Sequence, residues 1–462
     1  MSAPPKARSW RAQRAGLNFK SAASPRGSLV LLWALSACGE MATQNLSDGS
    51  GLHPRLPAPV TSLIPTVHIA PAVPWADDAQ PRAAPGLQVK AFARRLDHPR
   101  CLLVLPNGDV LVAESNAPAK PHPEFSLKAW VMGLFMKRAG AGGPSADRIT
   151  LLRDSDGDGV AEFRAPFLEQ LHSPFGMALV GQSLYVANTD ALLQFKYSSG
   201  ISRIVGPGRK VLDLPAGAVN HHWTKNLLAS PDGQRLYITV GSNSNVGERG
   251  LALEQGRAAI WEFDLQSGQQ RLFASGLRNP NGMAWSSNGS GSGPELLWTV
   301  VNERDELGSD LVPDYLTSVR DGAFYGWPFS YYGSHVDIRA QPPSPESVAR
   351  AVVPDYALGA HTAPLGLASA KGNSLPAVFA EGMFVGLHGS WNRRPHSGYQ
   401  VVFVPFSAGR PNGEVPMEVL SGFLNAQGEA SGRPVCVALD RSGALLVADD
   451  VGNVIWRVSA AP

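Results

Sequence analysis

Pro99-Arg100-Cys101-Leu102-Leu103-Val104-Leu105-Pro106-Asn107-Gly108-Asp109-Val110-Leu111-Val112-Ala113 is the stretch that decides the fold. A proline opens an apolar run, Asn-Gly interrupts it, and a second apolar run follows. Asn-Gly tolerates the positive φ angles of a tight hairpin, so the stretch reads as two antiparallel strands. The frame recurs at Pro174-Phe175-Gly176-Met177-Ala178 with Ser183-Leu184-Tyr185-Val186, and at Asn226-Leu227-Leu228 with Asp232-Gly233 and Leu236-Tyr237-Ile238. Pro280-Asn281-Gly282-Met283-Ala284, Pro364-Leu365-Gly366-Leu367-Ala368 and Pro434-Val435-Cys436-Val437-Ala438 bring it to six copies. A hairpin unit repeating at tens of residues indicates an all-β, six-bladed β-propeller. An open ring would expose strand edges, so the last strands, Ala444–Val447 and Asn453–Arg457, are expected to pair with Leu87–Phe92. The N-terminal strand then closes the last blade. Helical periodicity is nearly absent. The exception is Leu127 to Arg138, a short amphipathic segment in a long insertion in the first blade.

Composition agrees with many short strands and turns. The 462 residues include 48 Gly and 38 Pro, and 44% are hydrophobic, enough for a sizeable core. Only 17% are charged and the net charge is +2, which gives no reason to expect a nucleic-acid partner.

The first residues read as an export signal. Lys6, Arg8, Arg11, Arg14, Lys20 and Arg26 precede an apolar run from Ser28 to Ala37 that is too short to span a bilayer. The run ends Leu35-Ser36-Ala37-Cys38, which looks like a bacterial lipobox, with Cys38 as the acylated residue. The alternative is an ordinary secretory signal with an incidental cysteine. The expected layout is a signal peptide over 1–37, a flexible Pro/Ala-rich tether over 38–86 and the propeller over 87–462. That places the protein on the periplasmic side of a Gram-negative outer membrane, held by its lipid alone.

Three segments carry chemistry: Asn220-His221-His222-Trp223-Thr224-Lys225-Asn226-Leu227, Gly276-Leu277-Arg278-Asn279-Pro280-Asn281-Gly282-Met283 and Tyr325-Gly326-Trp327-Pro328. First strands of propeller blades start near one mouth of the channel, so distant motifs can share one site. His222 is a candidate general base, because an imidazole titrates near operating pH. Read without context, His221 and His222 are two turn histidines. In this order the three segments resemble the soluble quinoprotein sugar dehydrogenases, most of all the sorbosone dehydrogenase type, over residues 88 to 460. These are β-propellers that carry pyrroloquinoline quinone (PQQ) and calcium.

The resemblance implies that His222 takes the hydroxyl proton of a sugar as hydride passes to the quinone. His221 stands where the family has an Asp, which alters the field around the substrate. Arg278 and Asn279 match the pair that contacts PQQ, whose carboxylates and quinone oxygens suit a guanidinium. Arg304, Asp305 and Glu306 fall where the family supplies calcium with backbone carbonyls; the family's Gly-Pro is missing, so backbone or side-chain oxygens are the alternatives there. Arg393 or Arg394 stands where the glucose dehydrogenases use a Lys, Trp391 or His388 is placed to stack, and Arg433 opens the sixth blade near PQQ. Arg100, Glu114 and Phe175 are weaker channel candidates.

Asp154, Asp156 and Asp158, followed by Glu162, resemble the start of a calcium loop, with Ala165 where a bidentate Glu would complete it. A solvated hairpin turn is the alternative. Cys101 and Cys436 share one repeat position in blades that adjoin at the closure; two buried thiols are the favoured reading and a disulfide the alternative. The implied partners are a small sugar and an external electron acceptor. The competing classes are a calcium lactonase-type hydrolase propeller and a non-catalytic binding propeller.

Overall fold

A computed structural model of the chain describes residues 40–61, 66–119, 127–286, 295–413 and 415–462, together with Met1. The export segment and Cys38 lie outside the described residues. Six antiparallel sheets form the blades. The first contains Pro99–Val104, Val110–Glu114, Arg148–Arg153 and Phe163–Leu168, in that order from the axis outward. The first strands of all six blades pack side by side in a ring. Val110–Glu114 is buried along its whole length, whereas Phe163–Leu168 is mostly exposed in its first half. A strand with a neighbouring blade on each face needs a continuous apolar run, which is why the second strands do not alternate.

The Pro-x-Gly at the start of several first strands has a steric cause. A Cβ on Gly176 would collide with the backbone of Asn226 and Leu227 in the next blade, and one on Gly366 with that of Val435 to Val437. Only glycine lets adjacent first strands approach this closely. The ring closes as expected, with Leu87–Ala93 pairing antiparallel to Val454–Ala460. The expected helix forms over Leu127–Arg138. Among the described residues no helix is long and apolar enough to cross a membrane.

Two expectations are corrected. Cys101 and Cys436 form a disulfide rather than two thiols. The first strands converge on the axis where they begin, and the two Cα atoms lie 4.9 Å apart, within bonding range. Such a bond typically stabilises a fold by about 2–4 kcal/mol.

The second correction concerns the described residues between 40 and 86, which are no free tether. They lie along the propeller and satisfy their backbone on it. Ala42 N–H donates to the Arg394 carbonyl (2.7 Å), Val60 N–H to Leu307 (2.9 Å) and His68 N–H to Trp391 (2.8 Å). Ser50–Gly51 extends the fourth blade beside Tyr356–Ala360, and Arg82–Ala83 extends the fifth beside Met417–Ser421. Asp310 accepts the N–H groups of Thr43 (2.6 Å) and Gln44 (3.0 Å). A Pro-rich segment has few donors of its own, and several of those described are matched on the propeller, so the composition that reads as disorder is compatible with a fixed strap.

Candidate active site

Antiparallel order fixes which loops share a face. The links from second to third strand, and from fourth strand to the next blade, all open at the end where the first strands begin. This mouth gathers residues 214–226, 241–258, 303–312, 361–363, 388–399 and 450–453. It includes His222, Arg278, Asn279, the 304–306 segment, Trp391, Arg393, Arg394 and Arg433, so the expected site residues share one end of the ring. Asp154, Asp156 and Asp158 link a third strand to a fourth and lie on the opposite face.

His222 is half-buried, with its Nδ1 2.8 Å from the Ser242 carbonyl and 3.1 Å from Ser242 Oγ. The Oγ hydroxyl donates to the Ser244 carbonyl (2.7 Å), so both oxygens can only accept from the imidazole. The proton is therefore on Nδ1, and Nε2 offers its lone pair. Burial, reinforced by His221 and Arg278, pushes this ring well below the usual imidazole value. The two histidine rings meet edge to face with centroids 4.6 Å apart. Gly241 lies directly beside the base, where a Cβ would collide with both His222 and Asn279 Oδ1, so the base and Asn279 adjoin.

Arg278 is spent within the protein. Its guanidinium donates to the Glu303 carbonyl (2.6 Å), to Asn245 Oδ1 (3.1 Å) and to Asp305 Oδ2 (2.6 Å). Asp305 Oδ1 in turn accepts from Asn392 Nδ2 (2.8 Å), and His361 Nδ1 lies 3.6 Å away. Burial alone would raise Asp305, but Arg278 and His361 hold its carboxyl well below the usual range. Burial pushes Glu303 up to about 8 despite Arg278. Arg393 bonds the strap through the Gln44 carbonyl and pairs with Asp310 (3.3 Å). Arg433 lies over the Tyr399 ring, 4.9 Å from its centroid. Arg394 and Trp391 are half-buried and hold the strap with their carbonyls. Trp327 donates to the Asn245 carbonyl (2.9 Å).

Sequence reasoning missed a second cluster at the mouth. Asp450 takes Arg100 Nη1, His388 Nε2 (2.9 Å) and His98 Nε2 (3.4 Å) on one buried carboxylate. Against the effect of burial, those three groups keep it ionised far below its ordinary value. Arg100 also lies over Phe175 and Trp223, 5.6 and 5.7 Å from their ring centroids. A signal was present: Ser115, Asn188, Ser242, Glu303, His388 and Asp450 all stand just beyond the second strand of their blades. Aligning second strands as well as first strands would have found them.

The donor set can be tested against the two implied groups. For PQQ it fits: Arg100 Nε, Arg393 Nε, Arg433 Nε, Asn279 Oδ1 and Asn392 Oδ1 are buried without a hydrogen-bond partner. Orphaned guanidinium nitrogens around one opening suit a ligand rich in carboxylate and quinone oxygens. For calcium at 304–306 it does not fit, and that expectation is corrected. Arg304 pairs with Asp337 (2.5 Å), Glu306 with Arg339 (3.1 Å), and both Asp305 oxygens face cationic or amide donors. On the opposite face, Asp154, Asp156, Asp158 and Glu162 bring four carboxylate oxygens within 4.8 Å of one another. The same carboxylates also cap loop N–H groups, such as that of Gly157 on Asp154 (2.7 Å).

The TrAA12-like family profile matches residues 148–314 and 346–461, more than half the chain. The chain belongs to the TrAA12-like family. It is 27% identical over 222 residues to a pyrroloquinoline quinone-dependent pyranose dehydrogenase of Coprinopsis cinerea, a match covering 40% of this chain and 30% of that protein. It is 25% identical over 246 residues to an uncharacterised protein of Borreliella burgdorferi, covering 53% and 62%. The chain thus spans under two thirds of the length of these relatives. Among solved structures, the calcium structure of the Trichoderma reesei carbohydrate-active enzyme of family AA12 superposes with TM-score 0.65 at 18% identity, over 85% of this chain and 98% of that one. The holo PQQ domain of the Coprinopsis cinerea pyranose dehydrogenase gives 0.62 at 20%, over 85% and 100%. An apo soluble aldose sugar dehydrogenase of Escherichia coli gives 0.52 at 17%, over 81% and 100%. At these identities the likeness is one of fold.

Proposed function

We propose that this protein is a PQQ-dependent dehydrogenase of a sugar or sugar aldehyde. One observation carries the reading: an imidazole with its Nδ1–H held by a carbonyl and its Nε2 open, set in a mouth lined by orphaned arginine nitrogens. PQQ, when bound, supplies a quinone that accepts hydride. The chain's own residues supply the rest. His222 Nε2 takes the hydroxyl proton from the sugar carbon that is oxidised, and its bond to Ser242 fixes the ring's tautomer and direction. Arg100, Arg393 and Arg433 offer free nitrogens to carboxylates and to charge developing on quinone oxygens. Arg278 acts one step back, holding Asp305 and Asn245 in place.

The lactonase alternative requires carboxylates around a metal in the channel. Among the described residues, the one group of acids able to hold a metal lies on the opposite face, where a second-site calcium would serve structure rather than chemistry. Titration of purified protein with PQQ, followed by dye reduction across aldoses and sugar aldehydes, tests the reading. Saturable binding with sugar-dependent reduction is expected; no PQQ affinity sinks the enzyme reading in favour of a hydrolase or a scaffold.

The same reading has the protein exported and held at a bacterial membrane by a lipid on Cys38, supported by Leu35-Ser36-Ala37-Cys38 after an apolar run. Cys38→Ser should move the protein from the membrane fraction to the soluble one. Unchanged partitioning counts against the anchor.

A further inference from the structure

We propose that the quinone site works without a divalent cation, with Arg278 and His361, fixed about Asp305, supplying the positive charge that calcium would bring. The inference rests on the PQQ reading above and concerns how this chain holds that group.

A calcium ion needs six to eight oxygen ligands and binds through carbonyls and carboxylates that are free to turn toward it. Around residues 303–308 four backbone carbonyls are already engaged. The Glu303 carbonyl accepts from Arg278 (2.6 Å), that of Asp305 from Asn245 Nδ2 (3.1 Å), that of Leu307 from the strap's Val60 N–H (2.9 Å) and that of Gly308 from His361 Nε2 (2.9 Å). Of the carboxyl groups there, Asp305 is paired with Arg278 at 2.6 Å and amide-bonded to Asn392 at 2.8 Å, Glu306 is paired with Arg339 at 3.1 Å, and Glu303 accepts from the Arg304 N–H (2.9 Å) through Oε1, leaving its Oε2 buried without a partner. To seat an ion, the loop would have to break a buried salt bridge and bring a dication beside a guanidinium. His361 lies between two oxygens, with Nε2 2.9 Å from the Gly308 carbonyl and Nδ1 3.6 Å from Asp305 Oδ1.

Arg278 and His361 both bear on Asp305 under cover, because Arg278 is 3% exposed and His361 4% at the side chain; Glu303 and Asp314 are the other carboxyl groups that feel them. A fixed, desolvated cation does at an anionic ligand part of what a metal does. It stabilises negative charge without needing to be recruited from solution. The side chains of Arg304 and Asp305 are both held by paired partners.

The test is PQQ binding itself, read by quenching of tryptophan fluorescence in the unmutated full chain, once in EGTA and once in excess Ca²⁺. The affinities should agree within about twofold, and His361→Gln should weaken binding about tenfold in both solutions. A loss of about tenfold or more on chelation overturns the proposal, provided it persists in Asp156→Asn, which disables the acidic loop on the opposite face. A chelation effect that vanishes in that variant came through the loop and leaves the proposal standing. Binding in neither solution removes the PQQ reading, a failure distinct from binding in Ca²⁺ alone.

Discussion

His222→Ala should lower turnover by about 10²–10⁴-fold while PQQ still binds. The imidazole supplies the proton acceptor at Nε2 and is anchored through Nδ1 on Ser242, so truncation removes the acceptor and one anchoring bond. The pH profile separates this from a structural effect. The base works when unprotonated, and burial beside His221 and Arg278 pushes it well below 6.5. Activity should therefore be flat through neutrality and fall only as the medium becomes clearly acidic. A group titrating near neutrality, the sequence-based expectation, is displaced by that burial. The acid limb should disappear in the variant. His221→Asn should cost less, since His221 only adjusts the field around its neighbour. If the His221 variant loses activity and the His222 variant keeps it, the base has been assigned one residue too late.

Asp450→Asn should destabilise the fold by about 3–5 kcal/mol at pH 7, seen as a lower denaturant midpoint. The substitution keeps the shape and removes the charge that balances Arg100 and bonds His388. A buried guanidinium then has no counter-ion. In the unmutated protein the folded carboxyl titrates below its unfolded value, so its contribution is complete above roughly pH 4 and fades as pH falls further. Burial pushes His98 down to about 4 and lowers His388 as well. Both therefore refuse protons that unfolded imidazoles accept below roughly pH 6.5, so they too make the fold weaker toward acid. A change under about 1 kcal/mol at pH 7 would mean the cluster is solvated and relaxed, and the argument from burial would fail.

The blades were legible because a hairpin is local: Asn107-Gly108 and its flanking runs are adjacent in sequence, and the Pro-x-Gly frame repeats for a steric reason shared by neighbouring blades. Closure was legible because a ring cannot leave an edge. The disulfide was not, since the 4.9 Å between Cys101 and Cys436 depends on how tightly six strands converge. Asp450 was missed because its partners come from other blades, and His361 because its partners, Asp305 and Gly308, are distant in sequence and no spacing reports the contact. Arg278 was legible as a site residue but not in its role. A guanidinium satisfied by Glu303, Asn245 and Asp305 looks the same in sequence as one left free. The strap was misread because composition reports the capacity to form a core, and this segment borrows one.

That strap sets an order on synthesis. Residues 40–93 leave the ribosome before any blade exists, yet their docking partners are made late. Thr43 waits for Asp310, His68 for Trp391, Trp75 for Asp449, and Leu87 for Ala460. Every blade between must be in place before the whole of this earlier-made segment is seated. The rim of the mouth is therefore finished last, and a nascent chain released short of Val454 carries its N-terminal segment open to proteases and its final sheet without a closing edge.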